Sequence, residues 1–168
     1  KINLEIALKL QNILESSGAT VLLTRSDENG IYDDNANTIS EKKVSDIKNR
    51  VKIGNESSAD LFVSIHLNNF SDEKYYGWQT FYKGGDENSK KLADAIQKNL
   101  NETISNENKR VTHTLNDIYI MKHVEIPIAL VECGFLSNPE EATNLQNNTY
   151  QFKIAWGIYD GIMDYFAY

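Results

Sequence analysis

The sequence predicts a three-layer α/β/α domain in which helices flank a largely parallel, mixed sheet. Three observations carry that prediction. Short apolar runs of strand length, ATVLLT at 19–24, LFVSI at 61–65 and IPIALV at 126–131, alternate with longer segments of helical periodicity. The runs lack the strict polar alternation of a half-exposed strand, as strands covered on both faces do. No linker or internal repeat divides the 168 residues, so 1–168 reads as one domain.

The elements follow in order. Between residues 3 and 17, Leu4, Ala7, Leu8, Leu10, Ile13 and Leu14 recur at helical spacing, and Gly18 stands where a left-handed residue ends a helix. Residues 19–24 then read as a strand, and the Asp- and Asn-rich stretch 25–38 as a surface loop. Ser40 is placed to cap a second helix running through Val44, Ile47 and Val51 towards Asn55. Residues 61–65 form the second strand, and GWQTFY at 77–82, polar alternating with aromatic, the third. Ser89 opens a helix striped by Leu92, Ala95, Ile96 and Leu100, whose tail passes into a polar loop over 101–116. Residues 118–121 and 126–132 read as two more strands. Asn138 and Pro139 make a cap and first turn, with Glu140 and Glu141 at the positive end of the helix dipole. The last helix, from residue 149 to about 165, carries Phe152, Ala155, Trp156, Ile158, Tyr159 and Ile162.

Composition removes several classes of function. With 17 basic against 24 acidic residues the net charge is −7, and the basic residues are scattered singly, so no nucleic acid partner is expected. The apolar runs are too short to cross a bilayer, so the sequence holds no transmembrane segment. Cys133 is the single cysteine; it excludes an internal disulfide and reads as a small buried hydrophobe.

Two residues stand out chemically. His66 closes the apolar run LFVSI, with Ser64 on the same strand face and Asn68 and Asn69 just beyond. A histidine there is either a structural residue or a metal ligand, and strand carboxyl ends are where α/β proteins keep their chemistry. Glu132 follows IPIALV and precedes Gly134, so its carboxylate is partly desolvated, which raises its pKa into the range of a general base. His113 and His123 read as solvated, and Arg25 and Arg50 as members of structural ion pairs. Tyr75, Tyr76, Trp78 and Phe81 read first as core filling, with a sugar-binding groove as the alternative.

The stretches NLEIALKLQNILESSGATVLLTR, IKNRVKIGNESSADLFVSIHLNN and IALVECGFLSNPEEA, in that order, resemble the zinc-dependent N-acetylmuramoyl-L-alanine amidases of the family-three type. GWQTFYKGGDENSKKLADAIQ and DIYIMKHVEIP are most similar to the germination-specific members that act in the spore cortex. The resemblance implies a peptidoglycan hydrolase outside the cytoplasm, secreted or associated with wall or cortex, that cuts the amide between muramic acid and L-alanine. It implies one Zn2+ ion, with His66 as a ligand, Glu132 as the catalytic glutamate and Asn68 near the substrate, and it leaves any activator unidentified. Family members also place an opening strand, a glycine-rich loop with a first histidine ligand and a glutamate ligand ahead of the helix that begins here at Lys1. The chain therefore reads as truncated at its N-terminus, with one matched ligand of three, so zinc affinity is expected to collapse. Glu5 is expected to face solvent rather than to replace a ligand. The rival readings are a non-catalytic or partner-regulated wall-binding module of the same fold, and a zinc peptidase cutting within the stem peptide.

Overall fold

The computed structural model describes residues 1–105 and 107–167. Its sheet is built around β4 (Ile128–Phe135), in which every residue but Glu132 is buried. β1 (Phe62–Asn68) pairs parallel to β4 on one side, and β2 (Gln79–Tyr82) pairs antiparallel on the other. The two-residue β3 (His113–Thr114) adds to β2 in parallel, giving the order β1-β4-β2-β3.

Alternation along β4 sends its side chains into two different cores. Ala129, Val131 and Cys133 meet α1 (Ile2–Ser16), α3 (Glu87–Thr103) and α6 (Asn148–Phe166) through Ile6, Leu10, Leu92, Ile96, Leu100, Ile154 and Ile158. Ile128 and Leu130 meet α2 (Ile39–Glu56) and α4 (Tyr119–His123) through Val51, Ile120 and Met121. α5 (Pro139–Leu145) packs at the carboxyl end of β4. The three layers and the mixed sheet are those the sequence predicts.

Helices α3 and α6 touch backbone to backbone. A Cβ built on Gly161 would lie 2.5 Å from the Cα of Ile96, and one on Gly157 3.1 Å from the Cα of Leu100.

Several elements differ from expectation. Residues 19–24 join no ladder. Leu22 is 61% exposed, and the segment is separated from residues 61–66 by a cavity of about 470 Å³ that both line. A β-prone run becomes a strand only beside a partner backbone, and among the described residues none pairs with it. Residues 118–121 are not a strand: Ile118 is the N-cap of α4, and residues 119–121 are its first turn. The neighbours Ile120 and Met121 are both buried in the same core, which a strand's alternation forbids and a helical turn allows. The rings of Tyr119 and His123, one turn apart, stack at 3.8 Å.

Helix α2 begins before Ser40. Thr38 caps it in a reciprocal capping box with Glu41. Asp86, not Ser89, caps α3; the Ser89 hydroxyl donates to the Asp86 carboxylate (2.7 Å) and accepts the Ile128 N–H (2.8 Å), joining α3 to β4. Glu5 is half-buried and accepts a 2.8 Å hydrogen bond from the Gln151 amide, so it does not simply face solvent.

Gly161→Ala is expected to lower unfolding free energy by about 1–3 kcal/mol through forced separation of α3 and α6. Urea unfolding followed by circular dichroism measures this, and an unchanged midpoint would contradict the close approach.

Candidate active site

β1 and β4 extend further than the apolar runs alone suggest, so His66 and Glu132 lie inside strands rather than at their ends. Their registers place them side by side. His66 is the ladder partner of Glu132 on one side, and Gln79 of β2 is its partner on the other. Residues opposite each other in a ladder share a face, so His66, Glu132 and Gln79 form one row across the sheet. The row beneath is Ser64, Leu130 and Phe81 on the same face, where Leu130 and Phe81 belong to the core covered by α2 and α4.

Immediately beyond Glu132 the ladder slips. His66 pairs with Glu132 but Asn68 pairs with Phe135, so β4 carries one extra residue there. That bulge contains Gly134, whose φ of +148° a side chain rarely tolerates. Bulges of this kind bend a strand and re-aim neighbouring side chains.

A buried brace holds the loops around the bulge. The Glu141 carboxylate accepts the N–H of Gly77 at 2.8 Å and of Phe135 at 2.7 Å, joining the entry to β2 with the end of β4. Burial raises its pKa, and the two backbone donors oppose that shift. The sequence places Glu141 only as a favourable first-turn charge. Its role as a strut depends on Gly77, 64 positions away in the sequence, meeting the same carboxylate as the nearby Phe135. Asn68 joins the same region through its backbone carbonyl, which accepts the Leu136 N–H at 2.8 Å, while its side-chain oxygen accepts the Asn69 N–H at 2.9 Å.

The electrostatics of the row are those of a proton-handling site. Burial pushes the Glu132 carboxyl up to about 7, and its Oε2 is buried with no hydrogen-bond partner among the described residues. His66 is held below the usual imidazole range, first by burial and then by the nearby Arg50 guanidinium. The ring is therefore neutral near pH 7, the form that binds metals. Ser64 Oγ lies 2.9 Å from His66 Nε2 and fixes the ring. Arg50 is itself anchored by Asp46 at 2.6 Å and Thr24 at 2.7 Å, the structural pairing expected of it.

Other sequence candidates lie away from this row. His113 is exposed on β3, and the exposed His123 bonds the Tyr119 carbonyl. Arg25 bonds the Asp27 carbonyl. Trp78 is buried, with its indole N–H on Asn101 Oδ1, and Phe81 packs into the core, whereas Tyr75 and Tyr76 are exposed. Cys133 is wholly buried, and burial pushes its thiol far up, so it is inert as a nucleophile. Gln79, which in sequence is one polar position of an alternating strand, enters the row only through its register.

The sequence profile of the N-acetylmuramoyl-L-alanine amidases matches residues 1–164. The chain belongs to that family. The germination-specific N-acetylmuramoyl-L-alanine amidase of Bacillus subtilis is 39% identical over 166 residues, which cover 99% of this chain and 70% of that protein. The solved CwlD amidase of Clostridioides difficile, in complex with the GerS lipoprotein, superposes with a TM-score of 0.96 at 47% identity, covering 99% of this chain and 85% of that one. The catalytic domain of the amidase CwlV from Bacillus (Paenibacillus) polymyxa var. colistinus gives a TM-score of 0.81 at 28% identity, covering 99% and 83%. The row of His66, Glu132 and Gln79 thus lies within an amidase fold.

In this amidase the protonated Glu132 is the form the fold prefers, because its folded pKa of about 7 lies above the ordinary 4.5. Its contribution to stability is complete below pH 4.5 and is lost as pH rises towards 7. Glu132→Gln should therefore remove part of the acid-side gain in stability, and at pH 8 the metal-free variant should exceed the parent by roughly 2 kcal/mol, a figure reduced for the carboxyl's partial contact with water. Unfolding curves at pH 4 and pH 8 test this; equal pH slopes in the two proteins would refute it.

Proposed function

We propose that the protein is a zinc-dependent peptidoglycan amidase that hydrolyses the bond between the lactyl carbonyl of N-acetylmuramic acid and the L-alanine nitrogen of the stem peptide. The observation that carries this reading is Glu132. Its carboxyl, with Oε2 buried and without a hydrogen-bond partner among the described residues, is held near neutrality beside a neutral, hydrogen-bonded His66 and supplies the proton relay that amide hydrolysis needs.

His66 suits a zinc ligand because it is neutral and its Nε2 is already fixed by Ser64. One imidazole does not make a zinc site. Among the described residues no group of three or more His, Cys, Asp or Glu side chains is assembled to hold a metal, so the remaining donors have to come from outside them. Zinc, when bound, supplies a Lewis acid for the scissile carbonyl and acidifies the attacking water. The chain's own part is the proton. Glu132 accepts one from the water as its oxygen bonds to the carbonyl carbon, then delivers it to the nitrogen as the C–N bond breaks. The products are a lactyl carboxylic acid and an alanine amine, and the acid's proton passes to the amine to leave a carboxylate and an ammonium. Asn68, two residues beyond His66 on the same strand, is proposed to contact the substrate.

Likeness to a germination-specific amidase and to CwlD supports the spore cortex as the setting, outside the cytoplasm. The CwlD structure with a lipoprotein makes a protein partner of that kind a reasonable expectation here. No described helix is long and apolar enough to cross a membrane.

The full-length, zinc-loaded protein should release stem peptides with free L-alanine amines from purified peptidoglycan. Fragments that keep L-alanine on muramic acid would indicate a peptidase, and binding without release a non-catalytic wall module. Glu132→Gln should lower kcat by about 10²–10⁴, and turnover that survives the substitution would remove Glu132 from the mechanism.

A further inference from the structure

The row that gives the site its proton handling has a third member with no task in the chemistry above. Gln79 sits directly across from Glu132 and on the same face, at the same level as His66. Its orientation is fixed by its neighbours. Arg110 Nη1 donates to Gln79 Oε1 at 3.2 Å, and Gln79 Nε2 donates to the Val111 carbonyl at 2.8 Å. A guanidinium can only donate and a carbonyl can only accept, so the amide cannot be flipped without losing both bonds.

Arg110 is in turn held on several sides. Its Nε donates to the Tyr76 carbonyl at 2.8 Å, its guanidinium carbon lies 4.8 Å from the centre of the Phe135 ring, and its backbone N–H donates to Asn108 Oδ1 at 3.2 Å. Phe135 is the residue at which β4 resumes its pairing after the bulge. One arginine therefore ties the amide of Gln79 to the same strand segment that carries Glu132. If Gln79 served only to brace the loop at Val111, its bond to that carbonyl would suffice. The clamp on its oxygen goes further, because it fixes where the second Nε2 hydrogen points, and that hydrogen has no acceptor within the protein among the described bonds.

We propose that Gln79 is a substrate-binding residue of this site, oriented by Arg110, which donates its remaining amide hydrogen to a carbonyl oxygen of the muramoyl peptide lying across the row from His66. The inference rests on the amidase reading above. Gln79 fixes the position of the peptide relative to Glu132, and Arg110 acts through Gln79 as a positioning residue. A rigid donor costs little to order when substrate arrives, which is the advantage of holding it before binding.

The test uses the full-length, zinc-loaded protein with a soluble N-acetylmuramoyl tripeptide. Gln79→Leu removes the amide, and Gln79→Glu keeps the length and the acceptor for Arg110 while removing the donor. Both should lower kcat/KM by about 3- to 10-fold, the worth of one neutral hydrogen bond. In Gln79→Leu the Glu132-governed limb of the pH profile should stay in place, because the lost contact is to substrate and not to the base, whereas Gln79→Glu sets a second carboxylate across from Glu132 and should move that limb upward. In the Glu132→Gln background, calorimetry should show the same fold weakening of tripeptide binding. Arg110→Met should weaken binding in the parent but add nothing to Gln79→Leu, since the two act through one contact. If Gln79→Leu fails to fold, Gln79→Glu alone decides. Turnover by the parent together with kcat/KM of the folded Gln79 variants within twofold of it overturns the inference and leaves the amidase reading standing. A parent that turns over no muramoyl peptide sinks both.

Discussion

Glu132 is carried into the interior by its neighbours. Val131 and Cys133 on either side of it are buried on the opposite face, and Ile128 and Leu130, which precede it on its own face, are buried against α2 and α4, so Glu132 continues a row that the helices cover. The carboxyl is thereby desolvated, and among the described residues no donor compensates Oε2. A buried carboxylate in that state prefers its proton. The cost to the fold is a polar group without a partner, and the return is an acid that can gain or lose a proton near neutral pH. Everything else at the site depends on this placement, because β1 and β2 take their registers from β4 and bring His66 and Gln79 to the same level.

Such a group is useful only if its surroundings do not relax to satisfy it. The bulge at Gly134 ends the regular ladder just after Glu132, and the Glu141 carboxylate then holds Phe135 and Gly77 by their backbone N–H groups. Arg110 adds a second tie from the far side of β2, reaching Tyr76, Gln79 and Phe135. Two buried or half-buried carboxylates of neighbouring elements thus have opposite treatments. Glu141 is given two donors and is structural. Glu132 is given none on one oxygen among the described residues, and it is the one proposed to move a proton.

Much of this is legible in the sequence, for definite reasons. The helical stripes of α1, α3 and α6 and the apolar runs of β1 and β4 reflect burial, which composition records directly. His66 and Glu132 stand out because each interrupts or closes such a run. What the sequence does not show is anything fixed by pairing. Residues 19–24 have the composition of a strand but no ladder partner among the described residues, and residues 119–121 have a similar composition but fold as a helical turn against α2. Gln79 and Glu141 resemble any other polar residues until register brings Glu132, 53 positions from Gln79, and loop closure brings Gly77, 64 positions from Glu141. Metal ligation is the least legible part, since His66 shows only that one suitable donor is present.

The central claim is that the interior position of Glu132 alone holds its carboxyl near neutrality. A carbon-detected NMR titration of the metal-free protein, with the Glu132 side-chain carboxyl assigned by comparison with Glu132→Gln, measures it most directly. A midpoint close to 7 is predicted from its burial. A midpoint near the ordinary 4.5 would contradict the account, because the row of His66, Glu132 and Gln79 would then hold a solvated carboxylate with no poised proton.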